Sequence, residues 1–218
     1  MTYKEVKKNK EINAYIEKGN AILGQLGYTD HSAVHTALVA ERAALILEKF
    51  GRSEHEIELA KIAGYMHDIG NAINRTHHAE YGAILANELL RHTDMRLEDR
   101  VMVVSAIANH DESTGGAEDI ISAALIIADK TDVRRNRVRE KDRSLYDIHD
   151  RVNYAVTEAN LKISVEKKQI ALNLQIDESI CTMYEYFDIF LGRMQMCRHA
   201  ADFFDARFKL TANGSKVL

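Results

Sequence analysis

Histidine and aspartate recur at His35, at the adjacent pair His67-Asp68, at His78, at His110 and at Asp129, each in or beside an apolar stretch that reads as helix. Neutral imidazole and carboxylate are the groups that hold Fe, Mn, Zn or Ni at neutral pH. A buried polar group without a partner costs about 1–3 kcal/mol on mutational scales, so an apolar core has no ordinary use for this set. Helices converging on a shared cation would offset that cost. His67 and Asp68 offer two ligands from one helix end, while His35 and Asp129 must arrive on separate helices. Those four predict one N/O metal site with positions left open for water and substrate, as a catalytic site requires. His78 and His110 could complete a second metal position, with Asp68 bridging the two ions. His77 competes with His78 for that role. His31, one helical turn before His35, reads as a partner of the site or as an exposed helix-start residue. His55, His92, His149 and His199 read as capping or surface residues.

The elements that must carry these groups are mostly helical. Proline is absent, which suits helices joined by Gly, Asn and Asp turns. A first helix is expected over Tyr3–Leu26 with Gly27 just past its end. Asp30 is expected to cap a second helix running to Phe50, with Val34, Leu38, Leu45 and Ile46 as its buried stripe. Ser53 and Glu56 have capping-box spacing for a helix over Glu54–Ile69 that ends at Gly70. Further helices are expected over 77–92, 97–109 and 118–133. Beyond the basic run Arg134–Arg139, a helix is expected over Leu145–Thr157. Alternating residues at 161–165 and 170–176 predict a β-hairpin. Asp177 is expected to cap a final helix to Phe208, with a third strand at Lys209–Asn213. The fold class is thus mostly α: a helical metal-binding domain over 1–140, with a small C-terminal α+β extension over 141–218 packed on it. The hairpin edges are available for a homo-oligomer contact.

With 218 residues, 46% of them hydrophobic, the chain can bury one sizeable core. A net charge of −4 with basic and acidic residues well mixed gives no basic face for nucleic acid. No apolar run is long enough to span a membrane, and the N-terminus has no apolar stretch of the secretory kind. Cys181 and Cys197 are expected on the last helix, roughly 24 Å apart at 1.5 Å per residue, too far to pair. Free thiols without an export signal predict a cytoplasmic protein.

The strings His35-Thr-Ala-Leu-Val39-Ala40, Ala60-Lys-Ile-Ala-Gly-Tyr-Met-His67-Asp68-Ile-Gly70, His78-Ala-Glu-Tyr-Gly82-Ala83, Ile107-Ala-Asn-His110 and Ile126-Ile-Ala-Asp129-Lys130 resemble the HD superfamily of metal-dependent phosphohydrolases in order and spacing. The resemblance implies an all-helical HD bundle, with His35, His67, Asp68 and Asp129 as primary ligands and His78 and His110 at a second-metal position. It also implies one or two divalent ions (Fe, Mn, Zn, Ni or Mg). Metal-activated water would cleave a phosphomonoester, phosphodiester or anhydride bond of a nucleotide or other small phosphorylated substrate. Asp68 and Lys130 are the expected catalytic residues. The His110-to-Asp129 stretch is similar to that of bacterial HD-type diadenosine tetraphosphate hydrolases, in which a phosphate-binding Arg follows Ala-Asp-Lys. Lys130, Arg134 and Arg135 are therefore the substrate-binding candidates, with Arg75 a further one. A solvated charged face is the competing reading of Arg134–Arg139. Cyclic-di-GMP phosphodiesterases of the superfamily follow His-Asp-Ile-Gly with Lys, where this chain has Asn71. The alternative function is a non-catalytic HD-fold sensor signalling through its C-terminal extension.

Overall fold

The computed structural model describes residues 1–139 and 148–218. The expected boundary at 140/141 and the start of the helix expected at Leu145 lie outside them. The N-terminal part of the chain forms α1 (Tyr3–Lys8), α2 (Lys10–Gln25), α3 (Ala33–Lys49), α4 (Glu54–Met66), α5 (His78–Arg91), α6 (Leu97–Ala108) and α7 (Ile120–Lys130). The C-terminal part runs α8 (Ile148–Ala155), β1 (Val156–Ser164), β2 (Gln169–Ile176), α9 (Met183–Asp202), β3 (Arg207–Ala212) and β4 (Ser215–Lys216).

Helix α7 is the axis. Its residues Ile121 to Ala128 are buried on every side, as expected of a helix surrounded by others. It packs against α3, α4, α6 and α9. Asp119 starts it in a reciprocal cap with Ser122, and Asp129 and Lys130 fall in its last turn. The crossing of α3 and α4 is set by Gly64, where a Cβ would lie 2.7 Å from Ala40 Cα. This close backbone contact brings His35 and His67 to the same end of the crossing. Gly70 works the same way against α5. A Cβ there would sit 2.0 Å from the His78 carbonyl oxygen and 2.4 Å from Gly82 N.

Several local expectations give way to competing interactions. The first helix breaks at Asn9, whose side chain accepts from the Glu11 and Ile12 amides and so restarts the helix as α2. Ser32, not Asp30, caps α3; the Asp30 carboxylate instead accepts from the Ser32 hydroxyl. The buried face of α3 is His35, Thr36, Val39, Ala40, Ala43, Ile46 and Leu47, whereas Val34 and Leu45 are exposed. Small alanines allow the close approach to α4, and the bulkier Val34 and Leu45 are excluded from it. The Ser53–Glu56 capping box forms as expected. Helix α4 ends at Met66, and a 3-10 turn over Ile69–Ala72 follows; Gly70 is there for contact with α5 rather than to stop a helix.

The extension is a four-stranded sheet in the order β1-β2-β3-β4. β1 and β2 form the expected antiparallel hairpin, with Leu161 opposite Leu172; β1 begins at Val156, five residues before the expected strand. β3 lies parallel to β2 with Leu210 opposite Leu172, so one hairpin edge is covered. A parallel neighbour needs a crossover, and α9 supplies it. That is why α9 ends at Asp202 rather than at Phe208. Thr182, not Asp177, caps it, which leaves Cys181 in the preceding turn and Cys197 on the helix; both are free and buried. α9 packs between β3 and α7, and Phe204 meets Phe50 with ring centroids 4.8 Å apart. No helix among the described residues is long and apolar enough to cross a membrane.

The Gly70 contact leaves no room for a methyl group. Gly70→Ala should destabilise the protein by about 3 kcal/mol in urea unfolding, whereas Gly27→Ala, with open space around its Cβ position, should lose only what its positive φ demands.

Candidate metal centre

Three helix ends and two helix starts meet at the site. His35 enters from the first turn of α3, His67 and Asp68 follow α4, His78 opens α5, His110 follows α6, and Asp129 closes α7. All except Asp129, which is slightly exposed, are buried. His35 Nε2 lies 3.4 Å from Asp129 Oδ1 and 3.7 Å from Asp68 Oδ2. His67 Nε2 lies 3.1 Å from Asp68 Oδ2 and 3.7 Å from Asp129 Oδ1. The other Asp68 oxygen, Oδ1, faces His78 Nε2 at 3.6 Å and His110 Nε2 at 4.0 Å. His78 and His110 present their Nε2 atoms to each other at 3.2 Å. His77, by contrast, is exposed and pairs with Glu80.

The far side of three imidazoles decides what their near side can do. His35 Nδ1 donates to Asp132 Oδ2 at 2.7 Å, His67 Nδ1 to the Gly64 carbonyl at 2.8 Å, and His110 Nδ1 to the Ile107 carbonyl at 2.7 Å. Carboxylate and carbonyl oxygens only accept, so each Nδ1 carries a proton, and the neutral tautomer this fixes is the one that turns an Nε2 lone pair inward. Among the described residues, His35 Nε2, His67 Nε2 and Asp68 Oδ2 are nevertheless buried with no assigned hydrogen bond, the last two lying 3.1 Å apart. Buried polar atoms are normally satisfied. Three orphans aimed at one point, beside an anionic Asp129, fit a divalent cation bound by nitrogen and oxygen. The ligand atoms of His35, His67 and Asp129 lie within 4.8 Å of one another, and so do those of His67, Asp68 and His110. Asp68 belongs to both ends of the cluster.

The electrostatics agree with that donor set. Burial alone would raise the Asp68 pKa, but His67, His31 and His78 hold it well below the usual carboxylate value. Burial likewise opposes the Asp129 charge, which Lys130, His35 and His67 outweigh. His110 is driven down to about 3, first by burial and then by its His67, His78 and Lys130 neighbours. Burial also lowers His78. His67 is pushed up because Asp68 and Asp129 outweigh its burial. A proton on His67 and a metal cation would therefore compete for the same carboxylates.

Beside the cluster lies a cavity of about 390 Å³ lined by Asp68, His78, His110, Asp129 and Lys130, with Arg75, Arg137 and Arg193 as further cations and Tyr28 and Phe190 as rings. Lys130 Nζ sits 3.0 Å from Asp129 Oδ2 and 2.7 Å from Glu112 Oε2. Arg134 and Arg135 do not line this cavity. Arg134 is engaged with Asp132, and Arg135 with the Tyr154 carbonyl and ring. Their place is taken by Arg137, which donates to the Asp30 and Asp132 carbonyls, and by Arg193 from α9. His31 also lines the cavity, its Nδ1 donating to the Thr29 carbonyl. His55 pairs with Asp99, and His92 with Glu88; the His149 side chain lies outside the described ones.

Sequence reasoning missed Asp132, Glu112, Arg137 and Arg193. Asp132 had a faint signal, three residues after Asp129 on the same exit from α7. Glu112 and Arg193 had none, because their pairing links residues 81 positions apart.

A helical bundle that gathers four imidazoles and two carboxylates in this way is a metal-binding bundle. The HD domain family model matches residues 33–151, and the chain belongs to the HD domain family, a superfamily of metal-dependent phosphohydrolases. It is similar to the uncharacterized protein MJ1020 of Methanocaldococcus jannaschii, 27% identical over 209 residues that cover 85% of this chain and 80% of that protein. It is also similar to ribonuclease Y of Enterococcus faecalis, 30% identical over 132 residues, which cover 57% of this chain but 23% of the ribonuclease.

Two measurements probe the centre. Asp132→Asn should weaken divalent-metal affinity about 10–100-fold, the usual consequence of losing a partner that orients a ligating histidine, in chelator-competition titrations. Because protonated His67 favours the metal-free state, affinity should fall as the pH drops through its raised pKa and recover as the pH rises; a pH-independent affinity would rule this competition out.

Proposed function

We propose that this protein hydrolyses a phosphoester or phosphoanhydride bond of a small phosphorylated substrate, a nucleotide, at a centre of one or two divalent ions. His35, His67, Asp68 and Asp129 hold the first position, and His78 and His110 share Asp68 to form the second. The observation that carries this reading is the trio of buried, unpartnered ligand atoms converging beside a cavity rich in cations. When bound, such ions polarise phosphoryl oxygens and acidify water at neutral pH.

The chain's own residues supply the rest. Asp68 divides its two oxygens between the two groups of histidines. The Nδ1 hydrogen bonds to Asp132, Gly64 and Ile107 keep three imidazoles in the ligating tautomer. Lys130, held in place by Asp129 and Glu112, offers positive charge where a phosphoryl group gains negative charge, which is generally the largest catalytic term. Arg75, 5.3 Å from the Tyr28 ring and 3.3 Å from His78 Nε2, is the cavity cation beside the second position and a candidate for a further phosphate, whereas Arg193, 4.9 Å from the Phe190 ring, is engaged with Glu112. Those rings suit a planar base. Arg137 is committed to backbone carbonyls and shapes the wall. The phosphate-binding role expected for Arg134 and Arg135 by analogy with dinucleoside tetraphosphate hydrolases thus passes to other cations. Dinucleoside polyphosphates remain one substrate class to test. The similarity to ribonuclease Y makes short RNA another.

The test is a panel of nucleoside phosphates, cyclic nucleotides, dinucleoside polyphosphates and short RNA, run on chelator-stripped protein reloaded with Mn, Fe, Zn, Ni or Mg. Metal-dependent turnover is expected on at least one nucleotide class, falling more than about a thousandfold in Asp68→Ala as both metal positions lose their shared ligand. Stoichiometric metal with no turnover on any phosphoester would overturn hydrolysis in favour of a sensor.

A further inference from the structure

Helix α9 lies outside residues 33–151, the stretch matched by the HD domain model. It nonetheless reaches the metal centre through a chain of alternating charges. Arg193 Nε on α9 donates to Glu112 Oε1 at 2.7 Å. Glu112 Oε2 meets Lys130 Nζ at 2.7 Å, and the same Nζ meets Asp129 Oδ2 at 3.0 Å. The other Asp129 oxygen faces His35 and His67. Lys130 is buried and shared between two carboxylates, one of them a proposed metal ligand.

Charge counting says what Arg193 does in this chain. Glu112, Asp129 and Lys130 carry a surplus negative charge, which the nearby Asp111 carboxylate increases and Arg193 offsets by one unit. Without Arg193, Glu112 would be a half-buried carboxylate with Lys130 as its one close cation among the described residues, and the ammonium would be drawn toward it and away from Asp129. Asp129 would then present more negative charge to a cation, and less positive charge would remain for a phosphoryl group. From this we infer that Arg193 is a positioning residue of the catalytic centre: by neutralising Glu112 it keeps Lys130 on Asp129, so that the C-terminal extension tunes both metal affinity and the charge offered to substrate. The inference rests on the proposed reading of Asp129 as a metal ligand.

Its sign distinguishes it from a merely structural role. Loss of a packing contact would loosen the site and weaken metal binding, whereas loss of this neutralising charge strengthens it. Measured by competition with a chelating dye using Mn or Zn alone, Arg193→Met should bind metal about three- to tenfold more tightly than the unsubstituted protein, the range expected for coupled charges. Its kcat should fall about tenfold or more. Arg193→Lys should restore both. Glu112→Gln, which leaves Lys130 to Asp129 alone, should bind metal several-fold more weakly, and the Arg193→Met/Glu112→Gln double variant should return near the starting affinity. If Arg193→Met does not fold, Arg193→Lys and Glu112→Gln carry the comparison, with unchanged or tighter metal binding by Glu112→Gln counting against the inference. Unchanged or weaker binding by a folded Arg193→Met protein overturns it. Absence of metal binding by the unsubstituted protein would overturn the ligand reading itself, and the inference with it.

Discussion

Two carboxylates, Asp68 and Asp129, sit in a core where charge is expensive, and the rest of the molecule is arranged around keeping them charged. An ion of this kind costs several kcal/mol to remove from water even after the protein relaxes. Around these two the compensation comes from imidazole rings, from Lys130 and from the position a divalent cation would occupy. The compensation is incomplete from the described protein atoms alone, since among them Asp68 Oδ2 and the Nε2 atoms of His35 and His67 have no assigned hydrogen bond. A bundle stable enough to carry such a deficit needs a large apolar core, and the all-round burial of α7 supplies much of it.

Geometry follows from small residues as much as from charged ones. Gly64 lets α3 and α4 cross closely enough for His35 and His67 to share a target, and Gly70 lets α5 press His78 toward Asp68. Backbone carbonyls and Asp132 then hold the rings on their outer nitrogens. The rings are therefore hydrogen-bonded from behind, and the cluster borders the cavity in front. Catalytic centres need their charges oriented before the substrate arrives, and this arrangement provides that.

The extension is part of the same physical system. Its sheet requires a crossover helix, the crossover packs on α7, and packing on α7 places Phe190 and Arg193 at the cavity. A topological requirement of the sheet thereby supplies side chains to the cavity beside the bundle's histidine–aspartate cluster. The cavity wall consequently mixes residues inside the matched HD segment with residues before and after it, such as Tyr28 and Arg193. Such a wall can vary while the ligand set stays the same.

Much of this was legible in the residues themselves. Periodicity and caps located most helices, because those signals act within a few positions: the Ser53–Glu56 capping box is one example and the alternation that made the hairpin is another. Spacing and residue type singled out His35, His67, Asp68, His78, His110 and Asp129, and the structure gathers them into one buried cluster. Where a short polar side chain could choose between local partners, as at Asn9, Asp30 and Ser32, the choice was invisible. So was the buried face of α3, because alanines that permit close approach carry less hydrophobic signal than the exposed Val34 and Leu45. The chain by itself determined which imidazoles and carboxylates are candidate ligands and the helices that bear them, through interactions of short range. Only the tertiary structure decided that Asp132 orients His35, that Arg137 and Arg193 rather than Arg134 and Arg135 face the cavity, and that α9 ends in time for a parallel strand. These depend on which distant surfaces meet, and charge and packing across such contacts leave no periodic trace along the chain.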